Sequence, residues 1–138
     1  ATRVGTMDLW THARRFCITL APLGFGVWLA HYCFHFLTGL WTFIPVTQAA
    51  AIRHGIPGLG QPSWGLGGLH EAWVWPIEIG FVSLGLVGSL GLAWSLAQRD
   101  FHHRPSQGFL PWAGLQLTMA ATALWLLAQP MEMRGTFL

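Results

Sequence analysis

Residues 20–43 read LAPLGFGVWLAHYCFHFLTGLWTF, and the fold class turns on this stretch. It carries no formal charge and exceeds the roughly 20 apolar residues that cross a hydrocarbon core. Yet it places two histidines, His31 and His35, near its middle. An ionisable side chain at that depth is expensive and needs a reason.

Working outward, the uncharged run extends over residues 16–52, so it holds one span with residues to spare. Pro22 suits a first helical turn and Pro45 a helix end. The first span is therefore expected at about residues 20–44, with Ile18 and Thr19 able to extend it backwards through a kink at Pro22. Residues 45–70 read as a connection. Its stretch IPGLGQPSWGLGG breaks regular structure, but it is apolar enough to lie on the membrane surface or fold against the helices. Trp64 suits an interfacial anchor. The second span is expected at about residues 72–97, with Trp73 and Trp75 at one interface and Trp94 near the other. Gly80, Ser83, Gly85, Gly88, Ser89 and Gly91 make it rich in small residues, which let helices approach closely in lipid. It is expected to be the central, most tightly packed helix. A short polar turn, QRDFHHRPSQG, leads to a third span at about residues 109–129.

Composition agrees. The chain of 138 residues is 53% hydrophobic and 9% charged, against roughly 25% charged in an average soluble domain. Its mean hydropathy is +0.47. The expected fold is all-α, a polytopic membrane protein with three transmembrane helices, residues 1–138 forming a single membrane-embedded helical module. The opening ATRVGTMDLW has no initiator Met and no signal-peptide pattern, so the chain reads as a fragment, a processed protein or a subunit of a larger assembly. Leu9 and Trp10, set between charges, suit a segment on the membrane surface or a solvated flank.

Three spans put the termini on opposite sides. Arg3, Arg14, Arg15, Arg99 and Arg104 then share one face, with only Arg53 and Arg134 on the other. The positive-inside rule makes the N-terminus cytoplasmic and the C-terminus external. A net charge of +2 gives no argument for nucleic acid. Membrane lipid and other membrane subunits are the expected partners.

His31 and His35 are four apart and share a helix face. That face, Gly24, Trp28, His31, His35, Thr38 and Thr42, is expected to point toward other helices. Three readings are open. The imidazoles can be neutral and hydrogen-bonded across helices, to Glu78 or a threonine. They can contact a haem or a quinone, though both cannot ligate one haem, whose axial ligands oppose each other across the ring. Or they can chelate one copper or zinc ion.

Glu78 is the only acid well inside a span. If it faces the histidines it can handle protons; otherwise it makes a single interhelical hydrogen bond. Met131 and Met133, a Met-x-Met near the C-terminus, can hold Cu(I) or be ordinary interfacial methionines. His102 and His103 suit a solvated turn. Cys17 and Cys33 read as inert, buried thiols. No CxxC is present, so no iron–sulfur cluster can be held by this chain alone. There is no phosphate-binding glycine loop, nucleophile elbow or HExxH, so no hydrolase or nucleotide-driven reading is supported and a non-catalytic module is favoured over an enzyme.

The segments APLGFGVWLAHYCFHFLTGLWTFIPVTQ, PSWGLGG and AQPMEMRGT resemble the membrane portion of bacterial polyferredoxin-like 4Fe-4S proteins. That group includes the nitrous-oxide-reductase regulator, periplasmic nitrate reductase accessory and FixG-type proteins. The resemblance runs from about Ala21 to Thr136. It implies electron transport between a quinone pool or cytoplasmic donors and extracytoplasmic partners, as a respiratory accessory. The family's CxxCxxCxxxCP runs are absent, so any iron–sulfur clusters belong to a further domain or a separate subunit. No cluster-binding residue carries over. The expected function is a module supporting electron transfer across or along the membrane, with His31 and His35 facing a cofactor or quinone. The alternatives are a copper-handling membrane protein and a purely structural subunit.

Overall fold

The computed structural model describes residues 9–129. They form α1 (Leu9–Cys17), a 3-10 turn (Ile18–Leu20), α2 (Ala21–Gly39), α3 (Phe43–Arg53), α4 (Glu71–Asp100) and α5 (Pro105–Leu127), with no strand among the described residues. Three helical stretches are long and apolar enough to cross a membrane: Trp10–Gly39, Ala72–Asp100 and Pro105–Leu127. The all-α, three-span architecture is as the sequence predicts, with the small-residue helix α4 at its centre. α4 packs along both α2 and α5, which touch each other little.

The boundaries of the first span differ from expectation. It begins a dozen residues earlier, because α1 runs through the 3-10 turn into α2 without a break. Proline at position 22 offers no N–H, so the turn tightens and Ala21 N–H donates to the Ile18 carbonyl. The next amide, Leu23 N–H, donates to Ser89 Oγ at 2.8 Å, a bond supplied by α4. Arg15 is accommodated at this end because it pairs with Asp100 at the end of α4, 3.1 Å away. Such a partly exposed pair is worth about 0–1 kcal/mol; its main effect is to align two helix ends.

Ser89 is fully buried. Ser89→Ala would leave the Leu23 amide buried and unpaired, at about 1–3 kcal/mol. The expected result is a lower midpoint in SDS-driven unfolding of the purified protein, with α-helical content unchanged before the transition.

The first span also ends earlier, at Gly39. Leu40–Thr42 make a tight turn, with Thr42 N–H on the Gly39 carbonyl and Ile44 N–H on the Trp41 carbonyl. The connection then holds an eleven-residue helix, α3, that was not expected there. Pro45 starts this helix rather than ending one. It sits in the first turn, where a missing N–H leaves no bond unmade.

The segment after α3 folds back on α2. Gly68 and Leu69 N–H groups donate to the Thr38 and Leu37 carbonyls, both at 2.8 Å. Those carbonyls belong to the last turn of α2, which has no partners of its own. Gln48 of α3 holds the middle of the connection, donating to the Leu59 carbonyl and accepting from Ser63 N–H, each at 3.0 Å. Trp64 projects outward, as its anchoring reading requires.

The core is set by close approach. Gly26 of α2 and Gly85 of α4 meet backbone to backbone. Around that crossing pack Leu23, Ala30, Val82 and Ala120, flanked by Val27, Phe81, Leu86 and Leu124.

Candidate functional site

The packing face of α2 is Leu23, Gly26 and Ala30. The histidine face is therefore not the one that meets α4. His31 and His35 lie on the outer surface of the three-helix unit, as do Gly24 and Trp28. The inward orientation expected for this face is corrected: lipid-embedded helices pack through small residues, and Gly26 decided which side of α2 turned inward. The imidazoles stand edge to face, 4.9 Å between ring centroids and 84° between planes. Tyr32 and Phe34 add edge contacts to His31 and His35.

Depth changes with the helix boundaries. His31 lies about 22 Å along the helix from Phe16. His35 is about 6 Å, one turn, from the end of α2 at Gly39. The pair lies in the half of the first span nearer Gly39.

His31 closes one end of a groove between α2 and α5, with a volume of about 660 Å³. Leu23 and Val27 of α2 and Thr118, Met119 and Leu126 of α5 form much of its wall. The groove exists because α2 and α5 both lean on α4 and hardly on each other. Its volume falls within the range of about 300–1,000 Å³ usual for small-molecule sites. The wall is apolar along its length; the Thr118 and Thr122 hydroxyls are already bonded to the Gly114 and Thr118 carbonyls. Among the described residues His31 is thus the one titratable group that lines it.

Glu78 is buried, at 3% exposure, on the inner side of α4. α2 and α4 run antiparallel, and Gly26 lies against Phe81 and Gly85, which sets Glu78 between Ala30 and Cys33, at the level of His31. The acid and the histidines share a depth but not a face, so the expected facing arrangement is not formed. Glu78 Oε1 has no hydrogen-bond partner among the described residues.

A second polar element escaped the sequence reading. Gln116 and Thr19 are both buried; Gln116 Nε2 donates to Thr19 Oγ1 at 3.0 Å, and Thr19 donates to the Phe16 carbonyl at 2.7 Å. With Ser89 and Glu78 of α4, every span supplies at least one buried polar side chain. Gln116 was legible as an amide in the middle of an apolar span; that it would meet Thr19 was not.

His102 and His103 are exposed in the α4–α5 turn, in keeping with a solvated loop. Cys17 is exposed and Cys33 half-buried, both free, so the expectation of two buried thiols is corrected for Cys17, which points outward on the first span. Met131 and Met133 lie outside the described residues. Among the described residues no three His, Cys, Asp or Glu side chains converge as a metal site would require. His31 and His35 would supply two nitrogen ligands only. No protein-family model, curated protein or solved structure matches the chain.

Proposed function

We propose that the chain is a membrane module of an electron-transfer system and that its α2–α5 groove holds a quinone-class carrier. The tail lies along Leu23, Val27, Met119 and Leu126, and the ring sits at His31, with His35 behind it. The observation that carries this reading is an apolar groove ending at a single imidazole. A hydrophobic chain needs the wall; a ring carbonyl or hydroxyl needs the hydrogen-bonding nitrogen. Copper would find two imidazoles there and no third His, Cys, Asp or Glu donor among the described residues.

In this reading the electrons come from iron–sulfur clusters of a partner domain or subunit, as the resemblance to polyferredoxin-like membrane proteins implies. The arginine distribution supports a bacterial inner-membrane location with a cytoplasmic N-terminus. The second reading, a structural subunit, draws on the outward aromatic side chains Phe25, Trp28, Tyr32 and Phe36 of α2, all exposed; a neighbouring subunit can cover them.

The test is a titration of the purified protein in lipid nanodiscs with a short-tailed ubiquinone. His31→Ala removes the hydrogen bond without touching the helix contacts. Affinity is expected to fall by about 10–100-fold, the equivalent of about 1–3 kcal/mol. Equal binding by His31→Ala and the unmodified chain would overturn the quinone reading and leave the structural one.

A further inference from the structure

The line between the first and third spans, the seam in which the His31 groove lies, carries a second cavity at its arginine-bearing end. This cavity has a volume of about 470 Å³ and is lined by His12, Phe101, Gln107, Pro111, Trp112 and Leu115 among others.

The lining of this cavity is specific in its chemistry. Phe101 and Trp112 offer aromatic surfaces, and Pro111 and Leu115 apolar ones. His12 and Gln107 are the polar members. Among the described residues no charged side chain lines it, although Arg14, Arg15, Arg99 and Arg104 all lie near this end. A phosphate or other anionic head would be held by those guanidinium groups, outside the cavity. A neutral planar ring is matched by the cavity itself, through stacking on the aromatic surfaces and hydrogen bonds to an imidazole and an amide.

His12 is held for such a role. Its ring packs on Phe16 at 4.4 Å and edge-on to Phe101 at 5.2 Å, and Phe16 in turn stacks on Trp112 at 5.4 Å. Gly108 gives Phe101 its place: an added Cβ there would strike the Phe101 ring. His12 Nδ1 is buried and has no hydrogen-bond partner among the described residues, an unanswered polar atom in an aromatic setting.

We infer that the His12 cavity is a second binding site for the same class of molecule, a neutral ring-headed amphiphile, at the opposite end of the seam. The ring sits among His12, Gln107, Phe101 and Trp112, and the tail enters the seam past Leu115 and Leu20. One seam between the first and third spans then offers a ring site near each membrane face. This inference rests on the quinone reading of the His31 groove and extends it.

The test uses the full chain in nanodiscs, irradiated with a short-tailed azido-ubiquinone, with adducts located by peptide mass spectrometry. Two clusters of adducts are expected, one within residues 101–115 and one within residues 118–127. His12→Phe keeps an aromatic ring against Phe16 and Phe101 but removes the nitrogens; it should reduce the first cluster about tenfold and spare the second. Gly24→Leu, at a groove position with nothing within 4 Å of an added Cβ, should reduce the second and spare the first. Adducts confined to residues 118–127 would overturn the second site and leave the His31 groove standing. An inner cluster that His12→Phe leaves unchanged would overturn the role given to His12. Adducts in neither place would remove both readings.

Discussion

Gly85→Leu is expected to separate α2 from α4 and give a protein that inserts but does not hold its three-helix packing. A Cβ on Gly85 would lie 2.7 Å from the Pro22 carbonyl oxygen and 3.1 Å from Leu23 Cα. From the other side, a Cβ on Gly26 would lie 2.6 Å from the Phe81 carbonyl oxygen. These neighbours are backbone atoms and cannot rotate away. The helices must part, and with them go the contacts of Leu23 with Val82 and the Leu23–Ser89 hydrogen bond. Overpacking alone costs about 1–3 kcal/mol, and the stranded amide adds about 1–3 kcal/mol. The check is SDS-driven unfolding, where the midpoint should fall further than for Ser89→Ala. Gly80→Ala, at a position with open space around it, is the matched control and should leave the midpoint unchanged.

Gly68→Ala is the second large effect, and it is local. A Cβ at position 68 would overlap the Leu37 carbonyl. The segment cannot then approach, so the Gly68 and Leu69 hydrogen bonds to α2 are both lost. Release of the connection is expected, at a cost to the docked state of roughly 2 kcal/mol or more. Limited proteolysis should cut within residues 54–69 much faster in the variant, while cleavage in the α4–α5 turn stays as it was. If both sites are cut at unchanged rates, the docking of this segment does not depend on those two bonds.

Legibility in the sequence followed the physics of each element. The three spans were legible because long apolar runs have few alternatives in water. Their ends were not. The span was expected to start at about residue 20, yet the helix runs on through Arg14 and Arg15, and Asp100, far along the chain, meets Arg15. Pro22 read as a helix start, and the partner that lets the chain pass it, Ser89, belongs to another span. Pro45 read as a stop, and only the tight turn at Leu40–Thr42 makes it a beginning. The histidine face was turned the wrong way for a related reason. A polar stripe states a preference for company, but Gly26 permits a closer approach than any neighbour on α2, and closeness set the rotation. The aromatic setting of His12 needs Phe101 and Trp112, which no local pattern joins to it.

The bond between Leu23 and Ser89 also bears on how the molecule is made. The first span enters the bilayer before α4 exists, and at that moment its Pro22 turn leaves an amide facing hydrocarbon with no acceptor. An unmet polar group in that setting makes the lone helix a strained insertion intermediate. The arrival of α4 supplies the hydroxyl, closes Gly85 onto Gly26 and brings Asp100 to Arg15, all along one contact. The second span thus completes the first, and the third has a finished surface to join. A chain interrupted before Ser89 would be left with a helix whose turn stays open to the lipid.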